Sequence, residues 1–497
     1  MMTVPAPVGG WNAISALANM PQEDAFVLDN LIPDSSDVRS RDGHKEHTTT
    51  VRASPGLLVS YKASTPKLLL CGGGNIYDVT AGGAGTDLTG AITDFTNNQF
   101  IAAPYKSFIV FCNGADTPVV YNGTTVTAIS ATGPTMTEIR GAVTFKGRVI
   151  FWEKPDGSNP QSFWYAAAGA YQGTLSEYEL TEFTKGGYVV QCLNWTMDGG
   201  AGMDDYFVVL MSTGEVLVYQ GSDPGDANDW ALVGVYQIGE PVGHLPATQV
   251  GGDNVVLTKD GYIVLSAAIR EGRYSENSTF SYKINPAAQQ ATFAYASEYG
   301  WHSVLHPDSS LFVVNVPISP SQSQQHVRNT STGAWCRWTG LPAVSFASHD
   351  GALYFASTDG KVYIMGGTSD NGDFIQMRGS QAYNYYGSPH QKKQVTAVEV
   401  QSNYAYPKYL ISDFFADYAE RDLAPLSDPP EPEPSDWDVG EWNSAQWESS
   451  SNSAINKERK NASGFGYALA HTLRLRSRAQ RFAWYATHIY VKPAGVV

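Results

Sequence analysis

The sequence LYFASTDGKVYIM occupies residues 353–365. It reads as two short strands either side of an Asp359-Gly360 turn, because glycine takes positive φ without strain and closes tight hairpins. Six other segments read the same way: LLLCGGGNIYDVT from Leu68, FIVFCNGADTPVVY from Phe108, VIFWEKPDGSNPQSFWYA from Val149, FVVLMSTGEVLVY from Phe207, VVLTKDGYIVLS from Val255 and LFVVNVPIS from Leu311. Successive starts are offset by 40, 41, 58, 48, 56 and 42 residues. Each interval holds two visible strands and space for two more, the size of a propeller blade. A sandwich would show strands about every 8–12 residues without this longer period. The pattern predicts a mainly β chain built round a β-propeller of six to eight blades over residues 56–386. Aromatic closers such as Trp335 and Trp338 in GAWCRWTG are expected to pack between neighbouring blades.

The character of the chain changes on both flanks. Residues 1–55 hold few strand signals and read as an N-terminal arm, with one helical turn near Ala13 to Ala18. Residues 387–497 read as a small C-terminal β domain interrupted by an acidic, proline-rich loop, RDLAPLSDPPEPEPSDW, at 421–437. Such composition favours an extended, solvated segment. The last strand-like runs, GYALAHTLRLRSRA and FAWYATHIYVK, read as a closing hairpin. Charge is split across this domain: residues 401–450 carry 11 acidic and 2 basic side chains, residues 461–497 carry 5 basic and no acidic ones.

Composition narrows the function classes. Across 497 residues, 48 Asp and Glu exceed 32 Lys and Arg by 16. That balance excludes a general basic nucleic-acid binder, which needs a cationic contact face to neutralise phosphates. The 42% hydrophobic and 12% aromatic content excludes a disordered chain. Cys71, Cys112, Cys192 and Cys336 lie far apart, without the spacing of a zinc or redox pair, and read as reduced core residues. The opening MMTVPAPVGGW has neither the basic nor the apolar part of a signal peptide, and no run reaches the length of a membrane span. We therefore expect a chain made in a reducing cytoplasm, in which the five Asn-x-Ser/Thr sequons carry no weight.

Motifs that would carry chemistry are missing or misplaced. G-x-S-x-G, G-x-x-x-x-G-K-[ST] and H-E-x-x-H do not occur. His44 and His47 form an H-x-x-H pair beside Gly43, where a metal-binding helix is not expected; the plain reading is a solvated turn. Asp223, Asp226, Asn228 and Asp229 supply oxygens enough for Ca²⁺ but miss the EF-hand pattern, and such residues are what any turn uses. Ser357, Thr358, Asp359 and Gly360 have the wrong spacing for the boxes of sugar-cleaving propellers. No catalytic, cofactor or metal residue is assigned, and the chain is read as a non-enzyme.

Two groups stand out as contact candidates. Trp437, Trp442 and Trp447 recur every five residues among acids. They read either as a stacking surface, which the neighbouring carboxylates disfavour for nucleic acid, or as anchors docking the loop on its own domain or a neighbour. Arg474, Arg476, Arg478 and Arg481 read either as partners for acidic surface on a next subunit or as charges that face solvent and blunt an edge strand.

The opening GGWNAISALANMPQEDAFVLDNLIPDSSDVRSRDGHKEH (residues 9–47) resembles the start of many phage tail proteins. In those, G-G-[WL]-N leads to M-P-x-x-D/E-A, an apolar-D/E-N run and R-x-G. The matching positions are Gly9 to Asn12, Met20 to Ala25, Val27 to Asn30, and Arg41 with Gly43. CNGADTPVVYNGTTV (residues 112–126) is similar to their N-G-x-x-x-P-x-x-Y-[ND]-G strip, and GAWCRWTG and the tryptophan run are similar too. The chain thus resembles the tail nozzle family of short-tailed phages, also called tail tubular protein B or packaged-DNA stabilisation protein. The insert at 421–437 departs from that pattern. The resemblance implies a virion structural protein: a homo-hexamer forming the distal tail tube below a head-to-tail adaptor ring, beside tail fibres or spikes. It would retain packaged double-stranded DNA and conduct it during ejection without binding it specifically. The rival expectation is a virion propeller that binds a cell-surface glycan or serves as a platform for tail fibres; a glycan-cleaving propeller is a third class.

Overall fold

The computed structural model describes every residue except 64, 91, 93, 199–202, 272–278, 420, 431–454 and 495–497. Its middle is a series of small antiparallel sheets in chain order. The first holds Leu57–Tyr61, Lys67–Gly72, Asn75–Asp78 and Thr86–Asp87, and the second Ile101–Tyr105, Phe108–Cys112, Val119–Tyr121 and Val126–Ala128. The third runs Ile139–Phe145, Arg148–Glu153, Ser162–Tyr165, Ser176–Glu179, and the fourth Val189–Asp198, Met203–Met211, Glu215–Gln220, Ala231–Gln237. The fifth has three strands, Ala247–Val250, Asp253–Thr258 and Gly261–Val264, followed by helices Leu265–Glu271 and Asn285–Tyr295. The sixth starts with His302–His306, Leu311–Ser319, Gln322–Asn329 and Trp335–Trp338, the seventh with Ala343–His349, Ala352–Ser357 and Val362–Met365. Consecutive sheets pack through their first strands, except that Val189–Asp198 meets the second strand of the fifth sheet, Asp253–Thr258, and the seventh packs back on the first. The protein is a seven-bladed β-propeller.

A blade's second strand is covered on both faces by the neighbouring blades, so it reads as an unbroken apolar run rather than an alternation. Separate apolar clusters fill the blade junctions: Leu69 and Cys71 meet Phe111 and Val119, Val110 and Cys112 meet Phe151 and Trp164, Ile150 and Trp152 meet Cys192 and Phe207. All four cysteines are free and buried in such clusters, and Trp335 and Trp338 are buried as closers. The Asp359-Gly360 turn forms as read, with Gly360 at φ +89°.

Residues 1–55, expected as an arm, are instead built into the body. His44–Glu46 pairs antiparallel with Val362–Met365 and supplies the fourth strand of the seventh blade. This closes the ring with the chain's own beginning. Asp24–Asp29 touches Trp335–Trp338 in parallel and pairs with Ile375–Gln381, so the sixth blade continues outward into one nine-stranded sheet. That sheet ends in Leu469–Ser477 and Ile411–Ala416. Against it lies a second sheet ordered Asn456–Gly466, Lys393–Ser402, Ala483–Pro493, Val38–Ser40 and Leu31–Pro33, with Met2–Pro5 also on Ala483–Pro493. The terminal module is therefore a sandwich made from both ends of the chain, and its C-terminal share starts at Ile375, before residue 387.

Two further expectations change. The final runs do not form a hairpin: Leu469–Ser477 pairs with Ile375–Gln381 and Ile411–Ala416, whereas Ala483–Pro493 belongs to the other sheet. The cause is burial, since nearly all of Leu469–Ser477 is buried and needs cover on both faces. Residues 13–15 form a bend and 17–19 a turn, rather than a helical turn. Among the described residues no helix is long and apolar enough to cross a membrane.

Candidate functional site

Trp437, Trp442 and Trp447 lie outside the described residues. Arg474, Arg476 and Arg481 engage acids of their own chain. Arg474 is 7% exposed; its Nε and Nη2 donate to Asp413 at 3.1 and 2.6 Å, and its Nη1 to the Ala424 carbonyl at 2.7 Å. Arg476 pairs with Asp428, and Arg481 with Asp42 at 2.9 Å. Arg478 lies 4.6 Å from the Phe374 ring centroid. Leu469–Ser477 is an inner strand, so Arg474 and Arg476 do not blunt an edge. The Arg476–Asp428 pair and the Arg474 bond to the Ala424 carbonyl instead strap the start of the acidic loop to the sandwich.

The histidine pair and the acidic turn have structural partners. His44 Nδ1 is 3.1 Å from Asp370 and its ring meets Phe355 and Tyr363 edge-on. His47 Nε2 lies 2.7 Å from the Val79 carbonyl. Asp229 accepts from the Ser222 and Asp223 backbone at 2.6 and 2.8 Å, and Asp223 pairs with Arg148 at 2.6 Å. Those oxygens hold the loop's own backbone.

The residues that carry the tail-protein resemblance form a clasp between propeller and sandwich. Asn12 donates to the buried Asp24 at 2.7 Å, and Asp24 takes Lys283 at 2.8 Å. Asn30 accepts from Arg41 and from the Thr339 amide at 2.8 and 2.9 Å, while its amide nitrogen donates to the Gln376 carbonyl at 2.8 Å. Arg41, 1% exposed, forks onto Asp370 at 2.8 and 2.6 Å. Burial would raise the Asp370 pKa, and Arg41 and His44 more than reverse that, leaving it lowered. A Cβ on Gly43 would stand 1.9 Å from the Ser369 carbonyl, so only glycine lets the chain pass there. In the second strip, Asn113 accepts from the Ala115 and Asp116 amides, and Asn122 from those of Thr124 and Thr125. The motifs mark turns and joints.

The propeller axis holds residues that the sequence reading missed. A side chain bridges every blade junction near it. Tyr61 donates to the Ser107 carbonyl at 2.6 Å, Thr144 to Pro104 at 2.7 Å, Asn194 to Thr144 at 2.6 Å and Asn254 to Asn194 at 3.1 Å. Thr248 donates to the Ser303 carbonyl at 3.0 Å, the Phe346 amide to His302 Nε2 at 2.8 Å, and the Leu58 amide to Ser345 at 3.1 Å. At one mouth, before the inner strands begin, a cavity of about 300 Å³ is lined by Arg140, Tyr188, His244, Lys259, Glu298 and Tyr299, among others. Tyr299, just before blade six, donates to the Gly56 carbonyl, just before blade one, at 2.7 Å. Its ring stacks on His244 with centroids 4.8 Å apart. Burial, with Arg140 and His302 adding to it, pushes the His244 pKa down to about 3; burial pushes the Tyr299 phenol up. The site can hold a small polar ligand but not a duplex. Its residues come from blades far apart in sequence and share no motif; only aligning the starts of the inner strands would have grouped them.

No protein-family model matches this chain, and no curated protein matches it. Three solved structures are similar to it. The computationally designed Ika8 protein is 11% identical, with 72% of this chain and 99% of that one covered and a TM-score of 0.36. YCF48 from Cyanidioschyzon merolae is 10% identical over 65% and 98% of the two chains, TM-score 0.37. BamB from Moraxella catarrhalis is 9% identical over 67% and 92%, TM-score 0.37. The propeller assignment rests on the strand order and ring closure described above.

Proposed function

We propose that this chain is a structural subunit of the distal tail tube of a short-tailed phage, retaining packaged DNA and later conducting it, without catalysing a reaction. The observation that carries this reading is the nine-stranded sheet running from the propeller axis into the terminal sandwich. It makes one continuous wall element of two modules, as a tube under load requires. The tail-protein resemblance of residues 9–47 falls on the clasp that joins them. The acidic excess of 16 adds support: an acidic wall repels phosphate over about 8 Å at physiological salt, so DNA would slide rather than stick. A ring, with six copies by the resemblance, is part of the proposal.

Light scattering over a concentration series, with negative-stain images of the same fractions, tests it together with immunogold labelling of virions. The expected result is a ring near six times 53.8 kDa with an open channel, and gold at the distal tail end. Gold confined to fibres, or absent from virions, overturns it.

A further inference from the structure

Arg140 stands on the inner strand Ile139–Phe145 and lines the axial cavity. Among the described residues it has no ion-pair or hydrogen-bond partner. Its side chain is half-buried, and burial lowers its pKa despite Tyr188, Tyr299 and Asp156 nearby. Asp156 acts on it only weakly and is itself an exposed partner of Lys154 at 3.8 Å. The cavity's other cation, Lys259, is already paired with Glu240, and Glu298 at the cavity wall does not pair with Arg140. The more deeply buried Arg41 and Arg474 have their acids, Asp370 and Asp413. A cation on a cavity wall without an acid beside it is where an anionic ligand would complete the pairing.

The rest of the cavity adds shape. Tyr188 and the stacked His244–Tyr299 pair give flat faces, and neutral His244 can donate or accept a hydrogen bond. A volume of about 300 Å³ sits at the small end of ligand sites. We propose that this cavity binds a small cyclic carboxylate of the uronic-acid class, its carboxylate forked on Arg140 and its ring against the aromatic faces. Planar, two-pronged recognition of carboxylate is what a guanidinium does best. The site is independent of the tube reading, because ring assembly and this binding are measured separately.

Titration calorimetry of the full chain with D-glucuronate tests the proposal. Saturable one-to-one binding is expected, with D-glucose (ring, no carboxylate) and inorganic phosphate (anion, no ring) at least tenfold weaker. Arg140→Gln should weaken glucuronate at least tenfold while the Tm of the unliganded protein stays equal or rises, since the variant removes a charge that nothing offsets. Four outcomes overturn it: no glucuronate binding at millimolar concentration, binding unchanged in the variant, phosphate binding as tightly as glucuronate, or a fall in the unliganded Tm showing that Arg140 is structural.

Discussion

At the scale of single residues, the motif text names positions whose work is done by partners far away. Arg41 stands in an R-x-G signature, yet what makes it indispensable is Asp370, 329 residues on. The pair is buried and fully hydrogen-bonded, so removing one member leaves the other as a stranded charge. Asp370→Ala should therefore lower stability by about 3–5 kcal/mol, read as a fall in the urea midpoint. A drop no larger than that of an ordinary surface change would show that Arg41 finds water or another acceptor. The pH sign is set by the lowered Asp370 pKa. Its contribution is complete above the ordinary carboxylate value and is lost as pH falls through the lower folded value. The Arg140 cavity was illegible for the same reason: its lining comes from separate blades, and a lone arginine in sequence carries no mark of lacking a partner.

Elements were legible where burial leaves a pattern. Second-strand runs such as Phe108–Cys112 and Phe207 to Met211 announced themselves because both faces are covered. The fourth strand of the seventh blade, His44–Glu46, is three polar residues. No local periodicity marks it, and its partner Val362–Met365 lies over three hundred residues away. The false C-terminal hairpin has the opposite cause. Two strong strand patterns adjoin in sequence, but each satisfies its edges in a different sheet, and pairing is decided by cover rather than nearness. Ring closure can be probed at the entry to that short strand. Gly43→Ala would press a methyl into the Ser369 carbonyl, 1.9 Å from the ideal Cβ position. It should cost about 1–3 kcal/mol, with a lower Tm and faster proteolysis between blades one and seven. An unchanged Tm would mean that the closing strand is not held as tightly as its contacts require.

At the scale of the whole molecule, the acidic balance and the blade period were legible, whereas the joining of the two ends was not. What holds the assembled ring is a set of junctions with few charges, and several rest on neutral histidine. Burial pushes His302 down to about 4, and His244, His326 and His471 to about 3. His302 Nε2 accepts the Phe346 amide between blades six and seven, so it cannot carry a proton there. His326 meets the Tyr262 hydroxyl at 2.8 Å between blades five and six, and His471 lies 3.1 Å from both Gln381 and Ser412 in the sandwich. In the unfolded chain all four return to a value near 6.5 and take up protons that the folded state refuses. Unfolding thus binds protons, and stability falls as pH drops from about 6.5 towards the folded values, by up to about 1.4 kcal/mol per pH unit for each such histidine. Urea midpoints measured from pH 7.5 to 4.5 should be flat above pH 7 and fall steadily below 6.5. His471→Gln should make that fall shallower by about one proton, whatever it does to stability at pH 7. A curve flat down to pH 5, or a slope the variant leaves unchanged, would mean that these imidazoles reach water in the folded protein and that the junctions tolerate their charge.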